Sequence, residues 1–338
     1  MIPMTLTIKK ATPGPVSPHA PESSHIWGFD AVRLIAMAGV ATLHVHAVSG
    51  RDSRLMPYYY LGVPVFAAVS GYLALRSEGP SLGWFGRRVK RIYVPYWISL
   101  TAILAANALV RYKPTSPGLV VAQYLGVALF THPRELIGVH TWFVSAILVC
   151  YVMAMLIRWD RTLFPLAIAA SVGLQLSGVF GPWDCILAFL AGGVIARAPR
   201  QRVGALWVAA ASLAALFGGQ EVYLNVLAGA VALWAGSFCS GGRPRVVSSL
   251  SRVSYEFFLV HGIVYLSLAR LGHLGFWWNA LAGTPAAFLA AVLLHRASEA
   301  VYSASDAISG RARSYRESRL TARATPVSVE SGETRGEA

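Results

Sequence analysis

The sequence predicts an all-α polytopic membrane protein, with about ten transmembrane helices and one short interfacial or re-entrant helix. Hydrophobic residues make up 55% of 338 and charged residues 13%, with a mean hydropathy of +0.53. A soluble chain of this size needs more polar surface than that. The apolar residues are also gathered into successive runs of about 14 to 26 residues, the length scale of bilayer spans, separated by short basic loops. The formal charge of +14 does not indicate a nucleic-acid face, because Lys and Arg fall in those loops and in the final tail. Cys150, Cys185 and Cys239 are isolated in apolar runs and read as small core residues, with no disulfide framework or zinc motif.

In chain order, residues 1–26 form an arm with Lys9, Lys10 and five prolines. No apolar core with a small-residue cleavage site follows it, so a cleaved signal peptide is not expected. The expected spans are 27–49, 59–75, 92–110, 141–157, 162–180, 183–196, 204–218, 222–239, 254–271 and 277–302. The stretch 118–131 is ambiguous by length. If it does not span, thirteen loop cations fall on one side and six on the other, and the basic arm and tail join the richer side. The positive-inside rule therefore favours ten spans in the inner (plasma) membrane with both termini cytoplasmic. From 303 to 338 the chain is Ser-, Arg- and Glu-rich without an apolar period, and a tail without regular structure is expected.

The first span carries Asp30, Arg33, His44 and His46, which a plain anchor would not retain. Arg33 and His44 are eleven residues apart, which puts them on one helix face about 16 Å apart in depth. Asp30 lies one turn before Arg33, and His46 points roughly the opposite way. Two readings are open: Arg33 pairs or snorkels while His44 bonds a neighbouring helix, or both line a polar cavity where His44 serves as a general base. In GRRVKRIYVPYW, 86–97, four cations precede aromatics and Pro95, here assigned to the first turn of a span. This is either a cytoplasmic anchor or, through Arg88 and Arg91 one turn apart, a fork for phosphate.

Phe66, Ser70 and Gly71 mark a close helix contact in the second span, and Ser70 has no adjacent base. Trp142 reads as an interfacial indole and His140 as a solvated residue at the outer entrance of the fourth span. Ser254 and His261, seven residues apart, share a face of the ninth span, with Glu256 near its start. Glu299, one turn after His295, is a candidate to neutralise Arg33, Arg88 or Arg91.

These residues, taken in order, resemble the membrane-bound acyltransferase 3 family of multi-span O-acyltransferases: Asp30, Arg33 and His44; Phe66 with Ser70, Gly71 and Tyr72; Arg88, Arg91, Pro95 and Trp97; HTWF at 140–143; SYEFFLVH at 254–261; and Glu299. The resemblance covers roughly 27–302. It implies a ten-span domain that moves an acyl group, usually acetyl, from cytoplasmic acyl-CoA to a carbohydrate hydroxyl of a polysaccharide or smaller glycoside. It makes Arg33 and His44 functional and implicates Arg88 and Arg91. On this reading His44, Arg33 and His261 are catalytic and Arg88 and Arg91 hold the donor. Asp30, Ser70, Trp142, Ser254 and Glu299 support them, and no metal is required. A proton-coupled transporter using the same ionisable groups is the competing class, against which the lack of an internal repeat counts.

Overall fold

The computed structural model describes residues 26–51, 53–76, 82–197, 219–239, 242 and 244–324. Among these the chain is helical throughout and no strand occurs. The expected span 204–218 lies outside the described residues, as does nearly all of the arm. The first half comprises α1 (Gly28–Val48), α2 (Met56–Tyr60), α3 (Gly62–Arg76), α4 (Leu82–Val110), α5 (Pro117–Tyr124), α6 (Ala128–Thr131) and a 3-10 turn at Val139–Thr141. It is followed by α7 (Trp142–Trp159), α8 (Leu163–Leu176), α9 (Trp183–Arg197), α10 (Gly219–Ser237), α11 (Arg245–Arg252), α12 (Ser254–Leu271) and α13 (Phe276–Ala324).

Among the described residues, five segments are long and apolar enough to cross a bilayer: Gly28–Val48, Tyr58–Arg76, Leu82–Leu109, Trp142–Trp159 and Phe276–Ile308. That is half the expected number. Leu163–Leu176 and Asn225–Ser237 are apolar but shorter, and α9 has only 15 residues. α12 has 18 residues but includes Glu256, His261 and Arg270. With these apolar helices the chain is a multi-pass membrane protein.

α1 packs against α3, α10, α12 and α13, so its polar face is enclosed by other helices. Among the described residues, α3 packs extensively against α9, and Ala67, Ala68 and Ala188 are fully buried. A Cβ on Gly71 would collide with the Phe189 carbonyl, so Gly71 serves backbone approach, the usual source of association between membrane helices.

The stretch 117–131 folds back on itself. Gly126, at φ +71°, breaks it into α5 and α6, and Lys113 Nζ donates to the Leu136 carbonyl (3.2 Å), so the chain leaves where it entered. Ser116 caps the first turn by accepting from Leu119 N–H (3.1 Å). At the other end, the carbonyls that the last turn of α5 leaves without partners take donors from α4. Tyr96 Oη donates to Gln123 O (2.6 Å), Trp97 Nε1 to Tyr124 O (2.9 Å) and Tyr93 Oη to Leu125 O (2.6 Å). The aromatics of the 86–97 stretch thus hold a helical hairpin, a role beyond that of an anchor.

Two boundaries differ from expectation. α4 begins at Leu82, so Arg88 and Arg91 lie within the helix and Pro95 sits in its interior. Pro95 supplies no N–H to the Arg91 carbonyl. Tyr302 Oη donates to that oxygen (3.4 Å), and Tyr255 Oη to the neighbouring Ile92 carbonyl (3.1 Å). At the C-terminus, α13 continues through Ala324, so 303–324 is helical where composition predicted a tail. An established helix needs no new nucleus, and Ala-, Arg- and Glu-containing sequence without proline extends it readily. Lys90 ties this extension to α4 through Ser305 (3.1 Å) and Asp306 (3.2 Å). Residues 325–338 lie outside the described ones.

Candidate active site

α1 presents two groups of different chemistry. Arg33, near its start, lies 3.7 Å from Asp30, whose Oδ1 accepts from Ser251 Oγ (2.8 Å) at the end of α11. Ser254 Oγ donates to the Ser251 carbonyl (2.8 Å), so Ser254 stabilises this junction and works at the Arg33 end, away from His261. Arg33 is within electrostatic reach of Arg88, Arg91 and Tyr151. The Arg88 guanidinium lies over the rings of Trp84 (5.8 Å) and Tyr151 (6.0 Å). Arg158, at the end of α7, covers Trp84 at 4.5 Å and donates to the Ala74 carbonyl (3.0 Å). Stacking on aromatic faces orients a guanidinium while leaving its edge able to donate. In the sequence Arg158 is one of the cations that follow the fourth expected span, and nothing in its local pattern distinguishes it.

Three turns further along α1, His44 meets two other histidines. Its ring centroid lies 4.7 Å from that of His261 on α12 and 6.0 Å from that of His140, with 5.2 Å between His140 and His261. His261 is fully buried, His140 nearly so, and His44 half-buried. The expectation that His140 is solvated is therefore corrected. The 3-10 turn drives its ring against Gly262, where an added Cβ would come within 2.5 Å of Nδ1. The sequence signal for it was slight, since a residue in a turn belongs to no helical face.

The hydrogen bonds of these rings decide their tautomers. His261 Nδ1 lies 3.1 Å from the Phe257 carbonyl and His140 Nε2 lies 2.9 Å from the Leu259 carbonyl. A carbonyl only accepts, so in the neutral rings the protons sit on those nitrogens. His261 Nε2 and His140 Nδ1 are then bare lone pairs. His46 faces away, its Nδ1 on the Arg51 carbonyl (3.1 Å) and its ring between Tyr59 and Phe276.

A family model described as an acyltransferase domain matches residues 26–296. The chain belongs to the acyltransferase 3 family. No curated protein and no solved structure matches it.

The matched range of this acyltransferase 3 chain contains Arg33, His44, Arg88, Arg91, His140, Arg158 and His261, and leaves out Glu299. Glu299 is exposed and makes no ion pair among the described residues, so it does not neutralise Arg33, Arg88 or Arg91 as expected. Asp30 does so for Arg33. Glu256 is a second buried carboxylate, whose Oε1 meets His295 Nδ1 at 2.9 Å. Ser70 is half-buried and hydrogen-bonds none of the three histidines. Trp142 lies nearly parallel to Tyr60, 6.5 Å between ring centroids, beside the His140 turn. An apolar groove of about 400 Å³ below the hairpin tip, lined by Val89, Tyr93, Gly126 and Leu148 among others, includes none of the histidines. Among the described residues no three His, Cys, Asp or Glu side chains are arranged to hold a metal ion.

Proposed function

We propose that this acyltransferase moves an acyl group, acetyl in the first instance, from acyl-CoA to a hydroxyl of a surface polysaccharide, lipo-oligosaccharide or other glycoside. The observation that carries this reading is the division of α1: Arg33 among aromatic-stacked arginines at one end, His44 among histidines about 16 Å along the same face. The chain crosses the inner membrane ten times with both termini in the cytoplasm, and the arginine end opens to the cytoplasmic donor. This topology is supported by the excess of Lys and Arg in the loops on that side.

In this scheme Arg88 and Arg91, with Arg33 behind them, hold the phosphates of the donor. Paired, oriented guanidinium groups suit that task better than mobile ammonium groups. The thioester reaches toward His44. The acceptor oxygen attacks the thioester carbon, a C–O bond forms and the C–S bond breaks. His44 takes the hydroxyl proton and returns it to the departing thiolate, so no net proton is consumed. Placing donor and acceptor on one helix face provides the proximity that the reaction needs.

The test is mass spectrometry of surface glycans and secreted glycolipids from cells with the wild-type protein, with His44→Ala, and with none, the variant being verified in the membrane. The expected result is an acyl mass increment that is present only with the wild type. An increment that survives His44→Ala rules out His44 as the base, and no increment on any glycan removes the carbohydrate acceptor.

A further inference from the structure

We infer that His261 is a positioning residue for His44: its bare Nε2 accepts the ring N–H of His44 and so fixes which His44 nitrogen is left as the base. His261 Nε2 is buried and has no hydrogen-bond partner among the described residues, although Nδ1 of the same ring is committed to the Phe257 carbonyl. A buried acceptor left unpaired is unfavourable, so a native site that keeps one has a donor to supply.

The candidates can be taken in turn. His140 approaches from the 3-10 turn, but its N–H is spent on the Leu259 carbonyl and its other nitrogen is itself a lone pair. Tyr265, one turn further along α12, shares its hydroxyl with Thr284 (3.1 Å). Phe257 and Phe258 present only carbon to the ring. That leaves His44, whose ring meets that of His261 at 4.7 Å and 66° and which makes no hydrogen bond of its own among the described residues. No hydrogen bond joins the two rings as they stand. His44 is half-buried, and a rotation about its side-chain bonds brings an N–H toward Nε2, the kind of tightening that catalytic hydrogen bonds show when substrate binds.

The consequence is a defined base. A neutral imidazole has two tautomers, and an unrestrained His44 would present an N–H to the acceptor hydroxyl in part of the population. With one nitrogen donating to His261, the other is a lone pair facing the open side of the cluster. His140 holds the opposite wall and takes no part in the proton's path. What His44 does next rests on the acyltransferase reading; the hydrogen bond does not.

The experiment uses the full chain in detergent, as wild type, His261→Leu and His261→Gln, with histidine nitrogens labelled with 15N and His44 assigned by its loss in His44→Ala. The Gln carbonyl restores an acceptor near the place of Nε2 but cannot take up a proton. In the imidazole nitrogen spectrum, His44 of wild type and His261→Gln is expected as one tautomer and that of His261→Leu as a mixture. The same tautomer distribution in all three overturns the inference. In turnover, His261→Leu should lose about 100-fold in kcat, with KM for the donor unchanged, while His261→Gln stays within about tenfold of wild type. A Gln variant as inactive as the Leu variant would mean that the His261 imidazole itself carries the proton, and overturns the positioning role. If His261→Leu does not fold, His261→Phe, which keeps the ring shape and offers no acceptor, takes its place on both readouts. If wild type transfers no acyl group, the proposed function fails, and the tautomer measurement still decides this inference.

Discussion

Arg88 shows how a single side chain combines two interactions. Its guanidinium is oriented by Trp84 and Tyr151, and its charge adds to a field shared with Arg33 and Arg158. Arg88→Lys keeps the charge and loses both the planar fork and most of the stacking. Loss of a partly desolvated cation–π contact costs about 1–2 kcal/mol, so KM for acyl-CoA is expected to rise about tenfold with kcat little changed. An unchanged KM would remove Arg88 from the donor site. The pairing of Arg33 with His44 was legible in the sequence because both sit on one helix, where spacing alone fixes the face. Glu299 misled because the spacing that puts it on the face of His295 does not bury it: α13 turns His295 toward Glu256, and one turn later Glu299 is exposed.

At the scale of elements, the hairpin of α5 and α6 has the clearest energetic signature. Tyr96 is 2% exposed and its hydroxyl is the donor seen for Gln123 O, whereas the Tyr93 hydroxyl bond to Leu125 O is exposed. Tyr96→Phe strands a buried carbonyl and is expected to cost about 1–3 kcal/mol, seen as a lower melting temperature in detergent. Tyr93→Phe should cost much less, because solvent can replace the lost partner. Equal losses would mean that the hairpin end is no more buried at Gln123 than at Leu125. The sequence limited 118–131 to an interfacial or re-entrant helix by loop charge. It did not disclose that Tyr93, Tyr96 and Trp97 are the hairpin's donors, since an aromatic cluster at a span's start has an ordinary explanation as a belt.

For the whole molecule, the hairpin's return decides the side on which every later loop lies. Lys113 and Leu136 are bonded together, so cysteines placed at Lys113 and Arg134 should both label with a membrane-impermeant maleimide from the outer face of intact cells, and one at Arg87 only after permeabilisation. Labelling of Lys113→Cys and Arg134→Cys from opposite sides would show that 117–131 crosses. The sequence by itself determined the membrane class, the helical content, most helix limits and the shared face of Arg33 and His44. These follow from hydrophobicity and helical period, properties that each segment carries alone. Only the tertiary structure decided that His140 joins His44 and His261, that Arg158 joins Arg88 over Trp84, that Glu256 and not Glu299 faces His295, and that α4 supplies the donors for α5. Each of these depends on contacts between segments distant in the chain, set by how small residues let helices approach and by the requirement that buried polar groups find partners inside the bundle.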